Sequence, residues 1–232
     1  MTTAQEANDA ALVRLAEIGA LVNDSHVVYT SGKHGRAYVN IARAFNFADL
    51  VIWFAQQMAP LIEHLKFDTI IGPVNSDDKV GQAIVLELFQ HHGLKAHPVY
   101  AQKLTRVVRP EGESEDVEAI VPGKFFLARQ QSDFVTGQKV VIVGDVLTTG
   151  GTMDGVIETT REAGGIIVAL LVACNRSPYK GTYNGYELIE LMNVPMEQWD
   201  PPCQLCDVGV PINTAVGHGK KYLESQHAGT GS

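Results

Sequence analysis

An aspartate, three threonines and two glycines crowd into eight residues: Asp145-Val146-Leu147-Thr148-Thr149-Gly150-Gly151-Thr152. Glycines let a backbone approach a ligand and turn its N–H groups inward. The hydroxyls of Thr148, Thr149 and Thr152 supply more donors. A helix that starts just after such a loop adds the positive end of its dipole. Together these suit a phosphate monoester. Asp145 adds what a bare phosphate cradle lacks, a carboxylate able to accept two hydrogen bonds from a sugar diol. No Gly-Lys-Ser/Thr follows the glycines, so this is not a P-loop, and their spacing is not that of a dinucleotide fingerprint. Gly150-Gly151 alone would fit an ordinary tight turn with a capping threonine equally well.

The elements that must hold this loop can be read on either side of it. Val140-Val141-Ile142-Val143 is a run of β-formers suited to a buried strand, and Gly144 follows it. A helical pattern runs from about Met153 to Ala163 and closes at Gly164-Gly165. Upstream, an amphipathic helix is expected over residues 4–22, with Leu12, Leu15, Ala16 and Ile18 inward and Gly19 near its end, and another over residues 47–65. Thr69-Ile70-Ile71 reads as a strand leading into a loop that carries Asp77, Asp78 and Lys79, before a helix from about Val80 to Gln90. Asp77 and Asp78 either cap that helix or sit beside an anion that Mg²⁺ or Lys79 must balance. His97–Lys103 and Ile166–Cys174 read as further strands, the second fully buried. This alternation predicts an α/β fold with a mostly parallel sheet and helices on both faces. Lys103, the Asp145–Thr152 loop and Arg176 then all fall at strand C-terminal ends, the rim where such sheets bind ligands. Arg176 is suited to grip a carboxylate through two parallel hydrogen bonds. Arg129, after Phe125–Ala128, and Lys33, in the Gly-rich turn of His26–Asn40, are further candidate anion ligands.

The string Val143-Gly144-Asp145-Val146-Leu147-Thr148-Thr149-Gly150-Gly151-Thr152 resembles the PRPP-binding motif of type I phosphoribosyltransferases, in which two acidic residues precede the threonine–glycine loop. Gly144 stands where the first of those acids is expected, which leaves Asp145 alone on the diol. Ser31-Gly32-Lys33-His34-Gly35 and the following Tyr38 and Asn40 are similar to the N-terminal signature of orotate phosphoribosyltransferases, and Val99-Tyr100-Ala101-Gln102-Lys103 to another of their patterns. Asn175-Arg176 stands where that group carries Asp-Arg for orotate. The resemblance implies transfer of a phosphoribosyl group from PRPP to orotate, in pyrimidine nucleotide biosynthesis. It implies Lys103 and Asp145 as catalytic residues, with Lys103 on pyrophosphate. Gly144 to Thr152, Arg129, Arg176 and Lys33 would bind substrate, and Mg²⁺, with Asp145 nearby, would accompany PRPP. It also implies a homodimer and hood segments at about 1–45 and 196–225. The flap at about 104–124 would be mobile, within a single domain spanning residues 1–232. The Lys-x-His-Gly form of the family's flap is absent here. That absence, Gly144 and the Asp77-Asp78 loop motivate a second reading, a PRPP- or nucleotide-sensing protein without turnover. A third keeps the enzyme and changes the base to a purine.

Composition narrows the rest. The net charge of −8 over 232 residues argues against broad binding to nucleic acid or anionic membranes. No apolar run approaches the roughly 20 residues of a spanning helix, and the N-terminus lacks a signal core, so a cytoplasmic enzyme is expected. Three cysteines make no disulfide framework. Cys203-x-x-Cys206 with the later His218 is half of a zinc site, to which Cys174 or a partner chain would have to add; we read free thiols instead. The polar end from about Ser225 is expected to be disordered.

Overall fold

The apolar runs of the sequence become the middle of one seven-stranded sheet. The computed structural model describes residues 4–74, 77–108, 117–128 and 130–229. In chain order, α1 (Ala4–Glu17) precedes four two-residue strands, β1 (Leu21–Val22), β2 (Val27–Val28), β3 (His34–Gly35) and β4 (Tyr38–Val39). Helices α2 (Ile41–Ala44) and α3 (Ala48–Ile62) follow, then β5 (Thr69–Pro73), α4 (Asp77–His92), β6 (His97–Val108) and β7 (Val117–Phe126). A short 3-10 turn at Ser132–Phe134 leads to β8 (Lys139–Leu147), α5 (Gly151–Glu162) and β9 (Ile166–Asn175). Then come β10 (Thr182–Tyr183), β11 (Tyr186–Asn193), α6 (Gln204–Asp207) and α7 (Gly219–Gly229).

The sheet order is β10-β11-β9-β8-β5-β6-β7. Its five inner strands, β11 to β6, are parallel, and each edge strand pairs antiparallel with its neighbour. From β5 the chain steps outward to β6, then returns to β8 on the other side of β5 and continues away through β9 and β11. Strand order therefore reverses between β5 and β8. Loops leaving the C-terminal ends of two such strands diverge to opposite faces and open a crevice between them.

Side-chain alternation explains why β8 and β9 are apolar at almost every position. Val141 and Val143 of β8, with Ala169, Leu171 and Ala173 of β9, pack in one layer with α1, α3 and α4. Val140 and Ile142, with Leu170 and Val172, pack in the other against α5. A strand covered on both faces needs apolar residues on both.

Several boundaries differ from expectation for local reasons. α1 ends at Glu17 because Gly19 takes φ +66, and Ala20 N–H then bonds back to Leu15 O at 2.7 Å. Leu21–Val22 is released into β1, which pairs with β4. Ala7, Ala11 and Leu15 of α1 are buried, Leu12 and Ile18 pack partly buried against the same layer as expected, and Ala16 is exposed. α4 starts at Asp77, so Asp77 and Asp78 lie inside its first turn rather than ahead of it. Where a mobile flap is expected, β6 and β7 pair antiparallel as a hairpin, and residues 109–116 lie outside the described residues. α7 runs to Gly229, past Ser225, and residues 230–232 lie outside the described residues. Among the described residues, no helix is long and apolar enough to cross a membrane.

Candidate active site

The loop from Asp145 to Thr152 leaves β8 at the reversal point and enters α5. Its shape depends on Gly150, which takes φ +93 directly before α5. A Cβ there would overlap the Tyr183 hydroxyl and lie 2.7 Å from Tyr183 Cζ. That phenol is buried and donates to Asp154 Oδ1 at 2.8 Å, so the β10 tyrosine braces the turn against the first turn of α5. Thr148, Thr149, Gly151 and Thr152 are exposed, while Leu147 is core. The first N–H groups of a helix lack intrahelical acceptors. The exposed loop and the start of α5 therefore present hydroxyls and backbone donors together.

Gly144 and Asp145 point to opposite faces of the sheet. A Cβ at Gly144 would sit 3.2 Å from Met153 Cε and 3.5 Å from Val172 Cγ1, inside the α5 layer. Asp145 faces the other way and meets Asp77 at the start of α4. That first turn comes close because Gly72 leaves room: a Cβ there would lie 3.2 Å from Asp77 Cβ and 2.9 Å from Val143 Cγ1. Burial first, and then the Asp145 charge, hold the Asp77 carboxyl well above the usual carboxylate range. Asp77 Oδ1 is buried and has no hydrogen-bond partner among the described residues. The sequence leaves Asp145 as the loop's lone acid, and the fold gives it a second carboxylate from a position 68 residues earlier. Asp78 accepts from Lys79 N–H at 3.0 Å. Lys79 Nζ donates to Asn46 at 2.9 Å.

A cavity of about 600 Å³ opens beside this pair, lined from the sheet side by Asp145, Val146, Thr148, Thr149 and Arg176. Arg176 follows β9, its N–H bonded to Leu147 O at 2.8 Å, which ties it to the loop. Its Cζ lies 5.5 Å from the centre of the Tyr29 ring, and its buried Nε has no hydrogen-bond partner among the described residues. Burial raises the Tyr29 phenol's pKa, and the guanidinium partly offsets this. Asn175 does not share the cavity. It is fully buried, accepts from Ser177 N–H at 2.9 Å and Ser177 Oγ at 2.6 Å, and donates to Tyr179 O and Glu190. It shapes the turn that presents Arg176.

The remaining walls come from the two chain ends: Tyr29, Thr30, Ser31, Tyr38 and Asn40 on one side, Gln198, Gly217 and His218 on the other. Thr30 Oγ1 and His218 Nε2 are 2.9 Å apart across them. Ser31, Tyr38 and Asn40 belong to the N-terminal signature read in the sequence, whereas Thr30 and Gln198 had no distinguishing spacing there. Lys33 is directed elsewhere, into an exposed ion pair with Asp200 at 3.4 Å. Lys103 is exposed on the β6–β7 hairpin, paired with Phe125, and does not line the cavity. Gly144 and Leu147 are buried in β8 and offer it no side chain. Arg129 lies outside the described residues. His218 belongs to the cavity wall and Cys174 to the core, where burial pushes its thiol up to about 12, so neither completes a site with Cys203 and Cys206. Those two cysteines instead meet His26 and His34.

Comparison with known proteins agrees with this fold. The model for the phosphoribosyl transferase domain matches residues 95–204. An orotate phosphoribosyltransferase of Desulforamulus reducens is 30% identical over 206 residues, covering 88% of this chain and 93% of that one. One from Thermotoga maritima is 28% identical over 208 residues, covering 89% and 97%. The fold is shared with the orotate phosphoribosyltransferase of Francisella tularensis, at TM-score 0.54 and 18% identity over 79% of this chain and 85% of that one. It is shared too with the Mycobacterium tuberculosis orotate phosphoribosyltransferase in complex with PRPP, at TM-score 0.53 and 17% identity over 80% and 96%. The chain belongs to the phosphoribosyltransferase family and is an enzyme of that class. The curated relatives named here are orotate phosphoribosyltransferases.

Proposed function

We propose that this enzyme transfers the phosphoribosyl group of PRPP to orotate, giving orotidine 5′-monophosphate and pyrophosphate. The observation that carries the reading is the opening of the loop after β8 and Arg176 into one cavity at the reversal point of the sheet. In it, Thr148 to Thr152 hold the 5′-phosphate through hydroxyls and backbone N–H groups. Asp145 accepts from the ribose diol. Arg176 holds the orotate carboxylate and, stacked near Tyr29, fixes the plane of the ring. Orotate brings its own ring nitrogen nucleophile, so the protein needs no strong base. Its task is to hold two anions in line while positive charge develops on the ribose and pyrophosphate leaves.

Asp77 answers the missing first acid. With Asp145 it forms an all-oxygen pair containing an orphaned buried oxygen, a donor set that fits a hard divalent cation such as Mg²⁺. Bound with PRPP, Mg²⁺ would neutralise charge on the departing pyrophosphate. The names of the relatives and the carboxylate-suited Arg176 favour orotate over a purine. We place the enzyme in the cytoplasm and take it to act as a homodimer, in which a partner would cover the exposed Leu104, Val107 and Ile120 of the hairpin. Lys103, on the same hairpin, would then reach pyrophosphate only through that assembly. A steady-state assay with PRPP, Mg²⁺ and a panel of bases tests the reaction. Pyrophosphate release that depends on orotate and not on hypoxanthine, xanthine or adenine is expected. No release with orotate from folded protein would overturn it.

A further inference from the structure

Four metal-ligating side chains outside the cavity converge on one point. His26, His34, Cys203 and Cys206 each offer one ligand atom, all within 4.8 Å of one another. We propose that they form a structural zinc site which locks the N-terminal and C-terminal segments together and so fixes the outer wall of the cavity.

The six ligand–ligand spacings carry the argument. Cys203 Sγ and Cys206 Sγ are 3.7 Å apart. Cys203 Sγ lies 3.5 Å from His26 Nε2 and 3.6 Å from His34 Nδ1. Cys206 Sγ lies 3.7 Å from His26 Nε2 and 3.4 Å from His34 Nδ1. Zn–S near 2.3 Å and Zn–N near 2.0–2.1 Å in a regular tetrahedron require about 3.8 Å between sulfurs and about 3.5 Å between sulfur and nitrogen. Five of the six edges meet this. The sixth, His26 Nε2 to His34 Nδ1 at 2.8 Å, is shorter than the roughly 3.3 Å a tetrahedron asks for and opens by half an ångström on binding.

The surroundings are those of a closed structural site. His26, His34 and Cys203 are buried and Cys206 nearly so. Two sulfurs and two imidazoles, with no carboxylate among them, select zinc over Mg²⁺. His26 Nδ1 is 2.7 Å from Val210 O, which fixes its proton there and turns the Nε2 lone pair into the cluster. The other face of His34 is closed by the Tyr222 ring of α7, 5.1 Å away at 83°. Backbone bridges align the segments: His34 N–H and O bond to Trp199, and Asn213 N–H bonds to His26 O. Cys203 is the N-cap of α6 and Cys206 lies within it, one turn on.

Position gives the site its purpose. The turn holding His26 and His34 also carries Tyr29, Thr30 and Ser31, and the segment holding the cysteines runs between Gln198 and His218. The buried Val27, Val28 and Leu205 of these segments lie outside both main apolar layers, and metal supplies the cross-link that so small a local core does not.

The test is elemental analysis of the full, untagged chain purified without chelators, a readout independent of phosphoribosyl transfer. About one zinc per chain is expected, falling at least tenfold in Cys206→Ser and His34→Asn. Cobalt(II) exchanged into the unaltered protein should give intense tetrahedral visible bands and a thiolate charge-transfer band, which keeps the test decisive if the variants fail to fold. Less than about a tenth of an equivalent from zinc-supplemented cells overturns the proposal, as does a Cys203–Cys206 disulfide found by mass spectrometry in freshly purified protein.

Discussion

Replacing Gly150 with alanine tests how the loop is held. A non-glycine residue at φ +93 pays about 1–3 kcal/mol of backbone strain. The new Cβ also overlaps the Tyr183 hydroxyl, with Cζ 2.7 Å away. The buried ring can relieve this only by withdrawing, which breaks its 2.8 Å bond to Asp154. A hydrogen bond to a charged group contributes about 1.5–3 kcal/mol. The sum, about 2.5–6 kcal/mol, lowers the melting temperature of a chain this size by roughly 5–25 °C. A double-mutant cycle with Tyr183→Ala separates the parts. In that background Gly150→Ala should cost only the strain, about 1–3 kcal/mol. Calorimetric unfolding of the four proteins reads the result. An equal cost in both backgrounds, or none in either, would refute the bracing role assigned to Tyr183.

Asp77→Asn should raise thermal stability at neutral pH while weakening Mg²⁺-dependent PRPP binding. The folded-state pKa of Asp77 is raised, so the folded protein keeps a proton that the unfolded chain releases. Stability conferred by this group is therefore full below the ordinary carboxylate pKa and is lost as pH rises through the folded value. The amide cannot titrate, so the variant's advantage should vanish toward pH 4 and grow toward pH 8, as melting curves across that range will show; an advantage that shrinks with rising pH contradicts the assignment. Arg176→Lys keeps the charge and loses the fork, about 1.5–3 kcal/mol, so KM for orotate should rise about tenfold to a hundredfold with PRPP affinity within about twofold. Equal losses for both substrates would remove Arg176 from the base subsite.

The fold was legible because its signal is local and repeated. β8 and β9 announce themselves as apolar on both faces, and the strand–helix alternation around them permits few topologies. The loop from Asp145 to Thr152 was legible because its glycines and hydroxyls are contiguous in the chain. What escaped notice is what the fold assembles from afar. Asp77 reads equally as a helix cap or as a carboxylate beside a metal-balanced anion, and only Gly72, by letting α4 approach β8, brings it to Asp145. His34 reads as part of a basic turn until β3 buries it against a Cys-x-x-Cys nearly 170 residues away. Lys33 and Lys103 show the opposite case, for neither lines the cavity of the single chain. A cation near a glycine or a strand end is easily assigned to an anion, but the exit direction of a surface side chain is set by neighbours such as Asp200 that no spacing reveals.

Titration calorimetry of PRPP with Mg²⁺ into the unaltered protein and into Thr148→Val/Thr149→Val tests the central claim most directly. Two hydroxyls that donate to a phosphate should make the variant bind at least tenfold more weakly, at about 1.5–3 kcal/mol for each bond lost to a charged acceptor. Unchanged affinity in a variant with an unaltered melting temperature would contradict the account.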